Sequence, residues 1–316
     1  MLMQNQKLRR LNKRAQIFTL IGIALTLLFF VTYSIYSILN ERTPIKTRIN
    51  TMDSFLFSIE KNLERQLYIS GFRTIFLAED YIGRTGNTIT NFSELFEEAI
   101  NNGTIYGEES SFLQGTTITE IQENIMEKAG KMNLEINFSN SVVKVKQEDP
   151  WSVSFYLNFT LNLTDKSGMA YWYKNETIRA EVSIMGFEDP LFLINTQGKV
   201  SRKINKTIYE GNYVEGSDVT NLTYHLEEGY YAANPNAPSF IKRLEGKVEG
   251  DENGIESFVY IPDLSQQGIP IKEKSLIDYI YFSSSNPASY KVSGMPSWFR
   301  IDSSHVDKYQ VGSLIE

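Results

Sequence analysis

The chain has 316 residues, 13% aromatic and 22% charged, enough apolar surface to build a core and too much for a disordered chain. Its net charge of -7 is unevenly divided: five bases and no acid lie in residues 1–15, and residues 16–39 carry no charge. The remaining 26 of its 31 bases face 38 acids, a balance that repels phosphate backbones and argues against nucleic-acid binding, while the absence of cysteine excludes disulfides and thiolate chemistry.

His225 and His305 are the two histidines, too few for a multi-histidine metal site, and no cofactor is expected. An exported chain without disulfides must be stable through its core, which points to a prokaryotic cell surface.

Residues 1–15 form a basic segment containing Lys7, Arg9, Arg10, Lys13 and Arg14. From Ile17 to Leu39 the chain is apolar for 23 residues. As a helix this run rises about 34 Å, enough for a hydrocarbon core of roughly 30 Å. Its length, and Tyr33 and Tyr36 where a small-residue cleavage site would lie, favour a retained anchor over a cleaved signal. The preceding bases predict a cytoplasmic N-terminus with the bulk of the chain outside, single-pass in the cell membrane. Its partners are then lipid through this helix and a second copy or membrane-protein partner through the same surface, where Gly22, Ala24 and Thr26 are small.

The boundary Lys13-Arg14-Ala15-Gln16, followed at once by the apolar run, resembles the class III signal peptide of archaeal type IV pilin-like proteins. The resemblance covers about residues 13–80. It implies processing between Ala15 and Gln16, with the apolar helix kept on the mature protein. Leu20 stands at the fifth mature position, where those pilins usually carry glutamate.

Beyond the membrane, the expected fold class is α+β: the spanning helix continues into a helical stalk, followed by an outer domain with an antiparallel sheet and short helices. A polar break at Asn40–Pro44 precedes an amphipathic helix over residues 40–83, with a seam at Ile45, Ile49, Met52, Leu56, Ile59 and Leu63 and a kink at Ser70-Gly71. Residues 84–132 hold short helices: Ser93 to Ile100 behind Thr90 and Asn91, then a helix from the capping box Thr117–Glu120 to Gly130. Residues 133–198 form the sheet. Leu134, Ile136 and Phe138 alternate with polar residues. Trp151 to Thr164 alternates strictly, a turn falls at Asp165–Gly168, and a return strand runs from Thr177 to Ile184. Residues 199–316 are mixed, with helices at Leu222–Glu228 and Ser239–Glu245 and strands at Ser257–Tyr260, Leu276–Phe282 and Ser289–Val292. The repeated Glu-Asp-Pro at 148–150 and 188–190 reads as turn chemistry.

Eight N-glycosylation sequons begin at Asn91, Asn102, Asn137, Asn158, Asn162, Asn175, Asn205 and Asn221, roughly twice the chance expectation for this composition. Asn137, Asn158, Asn162 and Asn175 fall on the polar parity of the strands, where a glycan projects into water. Asp251-Glu252-Asn253-Gly254 lacks the ligand spacing of an EF-hand and reads as a solvated turn. Asp302, Ser303, Ser304 and His305 lie too close in sequence to form a triad, and read as helix capping with His305 in the first turn. Phosphate-loop motifs are absent and no catalytic constellation is evident. Three roles follow. The chain is a surface protein of structural or adhesive, pilin-like role; alternatively, a membrane-tethered envelope enzyme such as a carbohydrate-active hydrolase using dispersed acids, or an accessory subunit of a secretion or transport complex.

Overall fold

Helix α1 runs without interruption over Leu2–Thr85 in the computed structural model, which describes residues 2–316, with side chains at 16–38 and 45–316. Its 84 residues span about 126 Å at 1.5 Å per residue. The helix passes through the polar segment Asn40–Pro44. A proline removes one backbone donor, and helical turns on both sides carry the segment across that loss.

The buried stripe of α1 begins later than the sequence suggested. Ile45 and Ile49 are exposed, whereas Met52, Phe55, Ile59, Leu63, Leu67, Ile75, Ala78 and Ile82 are buried in steps close to the helical period. They belong to the first of two hydrophobic cores, shared with helices α2 (Phe92–Asn102) and α3 (Ile118–Lys131) and with the main sheet. A two-residue hairpin, β1 (Thr104–Ile105) and β2 (Glu108–Glu109), joins these two helices. Asn91 caps α2 through the backbone N–H groups of Ser93 and Glu94, and the capping box at Thr117 and Glu120 opens α3 as expected.

The chain stays helical through Ser70-Gly71. Ser70 donates its hydroxyl to the carbonyls of Gln66 and Thr116, holding the helix to the loop before α3. A Cβ on Gly71 would lie 2.6 Å from the Phe155 ring, so the glycine lets that ring reach the helix backbone.

The main sheet is an antiparallel meander ordered β3-β4-β5, from β3 (Leu134–Asp149), β4 (Ser152–Asp165) and β5 (Tyr171–Ser183). Strict alternation puts Val153, Phe155, Leu157, Phe159, Leu161 and Leu163 against the helices. A bulge between Ser139 and Val142 shifts the β3 register, with Asn140 at φ 54°. Arg48 of α1 clamps the far hairpin, donating to Asp165 and to the carbonyls of Met132 and Asn133.

The second core gathers Phe192, Leu222, Phe258, Leu276, Tyr281, Phe299 and Tyr309 from the C-terminal region. The helices of the C-terminal region are short: α4 (Pro190–Thr196), α5 (Thr220–Glu227), α6 (Phe240–Leu244), α7 (Ile261–Gln266) and α8 (Asp278–Phe282), with Leu193 of α4 and Phe240 and Leu244 of α6 packing into the first core. Two further hairpin pairs, β6 (Ala232–Ala233) with β7 (Ile255–Glu256) and β8 (Ser289–Tyr290) with β9 (Ile301–Asp302), complete it.

Here the sequence reading needs correction. The strand expected at Leu276–Phe282 is mostly α8: Tyr281 N–H bonds the Ile277 carbonyl, and helical spacing brings Ile277, Ile280 and Tyr281 into the core. Ser257–Tyr260 forms only a single bridge, Phe258 to Ile277, because the ladder pairing falls two residues earlier in β7. The strand expected at Ser289–Val292 ends at Tyr290, and Val292 bridges Ile315 instead. The two Glu-Asp-Pro segments separate. Asp149 accepts the Trp151 N–H in the β3–β4 turn, while Asp189 accepts the Leu191 N–H as the N-cap of α4 with Pro190 in its first turn.

Candidate functional site

Three features present chemistry to the surroundings: the apolar end of α1, the outer face of the main sheet, and a groove beside α1. Gln16–Ile38 has a mean hydropathy of 2.1 and none of it is buried, so this one N-terminal helix is long and apolar enough to cross a membrane. Thr26 and Thr32 return their hydroxyls to the Gly22 and Leu28 carbonyls, so these polar groups are satisfied within the helix itself. The Ala15–Gln16 junction lies within α1, but the Ala15 side chain falls outside the described residues.

On the outer sheet face the register brings four sequons into one patch. Asn137 pairs directly with Asn162, Thr160 with Asn175, and Asn158 with Thr177. The sequons Asn158-Phe159-Thr160 and Asn175-Glu176-Thr177 are thus antiparallel neighbours that exchange bonds. Thr160 donates to Asn175 at 2.9 Å and Thr177 to Asn158 at 2.7 Å. Asn137, Asn162 and Asn175 are exposed, while Asn158 is half-buried on the central strand. Tyr171 and Tyr173 stand beside them on β5, 75% and 68% exposed, opposite Thr164 and Asn162.

The other sequons lie apart. Asn91 is occupied as an N-cap, with its amide donating to Glu94. Asn102 ends α2 and is exposed, as is Asn205. Asn221 is half-buried and donates to the Asn212 carbonyl.

A groove of about 550 Å³ runs between α1 and the loop after β5, walled by Phe72, Phe76, Glu79 and Asp80 on one side and Met185, Glu188 and Lys203 on the other. Glu79 is 8% exposed and its Oε1 has no hydrogen-bond partner. Burial raises its carboxyl to about 9, against the opposing Glu188 backbone N–H and with help from the Glu188 and Asp189 charges. The signal that could have found it is its placement: Glu79 sits between Ala78 and Ile82 on the buried stripe of α1, where a carboxyl is out of character.

Inside the second core lies a charge network that sequence spacing did not reveal. Arg243, fully buried, binds Asp189 at 2.6 Å and Asp278 at 2.9 Å. Close by, His305 joins Asp302 through Nδ1 at 2.8 Å and Glu256 through Nε2 at 3.1 Å, and Lys308 reaches Glu256 at 2.6 Å. Ser304 does meet both His305 and Asp302, but at the same Nδ1 edge, while Nε2 faces Glu256 and Tyr279. Each ring nitrogen is thus held by a buried carboxylate, Nδ1 by Asp302 and Nε2 by Glu256, with Ser304 on the same edge as Asp302 instead of across the ring from it, so the arrangement is a structural clasp. Residues 303–310 are turns, not the expected helix, although Asp302 does cap them through the Ser304 N–H. Burial opposes the imidazolium, but its two carboxylates lift His305 to about 9. The acidic turn at Asp251 to Gly254 is tied down by Lys242, which lies 3.3 Å from Asp251.

Comparison with protein-family models, with curated proteins and with solved structures found no match.

Proposed function

We propose that the chain is a membrane-anchored cell-surface protein with a structural or adhesive, pilin-like role. The observation that carries this reading is α1: an exposed apolar segment, Gln16–Ile38, continues in the same helix into the buried stripe Met52–Ile82 of the outer core. A helix built this way transmits the position of the membrane segment rigidly to the folded portion. The basic residues before Gln16 place the N-terminus in the cytoplasm and the sheet outside. Lipid, and a second copy or a membrane protein, are the partners of the apolar segment, and glycans on the sequons are the covering of the outer sheet face. The resemblance at Lys13-Arg14-Ala15-Gln16 assigns the mature N-terminus to Gln16.

The test is mass spectrometry of the N-terminal peptide from membranes of the native host, together with protease treatment of intact cells. The expected result is a chain starting at Gln16 whose outer domain is digested from outside. A chain starting at Met1 or Leu2, or one protected in intact cells, would overturn the pilin-like reading or the topology respectively.

A further inference from the structure

Six carboxylates are buried among the described residues: Glu79, Asp165, Asp189, Glu256, Asp278 and Asp302. Five of them have a cation within ion-pair distance. Arg48 serves Asp165, Arg243 serves Asp189 and Asp278, His305 serves Asp302, and His305 with Lys308 serves Glu256. Among the described residues Glu79 is the one of this set without such a partner, its Oε1 has no hydrogen bond, and it lines the groove beside α1. Buried charges are otherwise paired in proteins, because desolvation is too costly to leave uncompensated.

The groove has the dimensions and walls of a small-ligand site. Its volume of about 550 Å³ lies within the range of roughly 300 to 1,000 Å³ common to such sites. Phe72 and Phe76 occupy successive turns of α1, line the same groove as Glu79, and are 38% and 46% exposed. Three acids, Glu79, Asp80 and Glu188, face two bases, Arg84 and Lys203. Arg84 is already held by Asp80 at 2.7 Å, and Lys203 is exposed on the opposite wall. Once Glu79 ionises, the groove carries one uncompensated negative charge, which a further cation would match, and aromatic faces attract an organic ammonium.

We propose that this groove binds a small organic cation of the alkylammonium class, its ammonium supplying the missing partner of Glu79 and its carbon chain lying against Phe72 and Phe76. The proposal carries a proton signature. Burial keeps Glu79 protonated at neutral pH, so an arriving ammonium converts it to carboxylate and expels that proton to solvent. Asp80, Arg84, Glu188, Lys203 and Asp189 are the charged groups around it. Asp80 and Asp189 already hold Arg84 and Arg243, and Lys203 is the internal competitor of the ligand.

The experiment is titration calorimetry of the full chain in a non-ionic detergent with n-butylammonium chloride, against matched sodium chloride. It is run at pH 7 in two buffers of different protonation enthalpy. The expected result is saturable binding with close to one proton released per site, both lost in Glu79→Gln. That substitution keeps the shape and neutrality of the side chain, so its thermal melt at pH 6 should match the parent. Phe76→Leu should weaken binding several-fold while leaving proton release intact. Absence of saturable binding, binding that survives in Glu79→Gln, or binding without proton release would each overturn the proposal.

Discussion

Raising the pH from 6 to 9.5 should destabilise the folded C-terminal region by about 3 kcal/mol through His305. Burial of the ring disfavours the imidazolium, yet Asp302 and Glu256, one at each nitrogen, raise it from 6.5 to about 9. A shift of that size, at about 1.4 kcal/mol per pH unit, corresponds to about 3 kcal/mol. The folded state binds this proton more tightly than the unfolded chain, so the contribution is complete below pH 6.5 and is lost as pH rises through 9. Glu79 acts in the same direction: its carboxyl, raised by burial to about 9, is neutral in the folded state where an unfolded glutamate is ionised, so it costs stability from pH 4.5 to 9. The two are separated by working in a Glu79→Gln background. Urea unfolding in detergent at pH 6, 7.5 and 9.5 can be followed by tryptophan fluorescence, since Trp298 packs edge-on against Tyr260 in the second core. Stability in Glu79→Gln that is flat or rises between pH 6.5 and 9 would refute the clasp, as would the same slope surviving in Glu79→Gln/His305→Gln.

Gly71→Ala should lower stability by about 1–3 kcal/mol, the usual cost of overpacking, because the new methyl meets a Phe155 ring already held by Phe92 and Phe96; a chemical denaturation midpoint measures it. Arg243→Met should cost about 3–5 kcal/mol at pH 8, since Asp189 and Asp278 are left facing each other without a cation. Burial pushes Asp278 up to about 6, so its protonation should make the loss smaller at pH 5, and an equal loss at both values would argue against the pairing. On the acid side, His305 and Lys308 hold Glu256 at about 2 against its burial, so stability should fall as pH drops from 4.5 toward 2, read by circular dichroism. Glycopeptide mapping from the native host should find Asn137 and Asn162 seldom occupied together. They are direct cross-strand partners, with Cβ atoms about 5 Å apart, too close for two full glycans.

What could be read in advance was whatever depends on neighbours in sequence. Period-2 alternation located β4 nearly to the residue, and Thr117 with Glu120 announced α3, because a strand face and a capping box are both written within a few positions. The C-terminal region was less legible for a physical reason. Its α-helices are five to eight residues long, its strands two, and they are held by contacts such as Arg243 to Asp189, 54 positions apart, which local propensity does not encode. Asp189-Pro190 shows the limit sharply: the same Glu-Asp-Pro string makes a hairpin turn at 149 and opens a helix at 189. What differs is whether apolar Leu191, Phe192 and Leu193 follow it into a core.

The candidate sites divide along the same line. Sequons are local strings and were found as such, but that four of them share one sheet face, and that two exchange hydroxyl bonds, is a property of the β3-β4-β5 register. That register bears on when modification occurs. Asn158 and Asn162 lie on the central strand, bonded on both edges, so a transferase that needs an extended, unpaired acceptor reaches them only before the sheet closes, whereas Asn102 and Asn205 stay accessible afterwards. Slowing transfer relative to folding should therefore empty Asn158 and Asn162 first. Equal loss across all four positions would mean that the sheet does not gate modification.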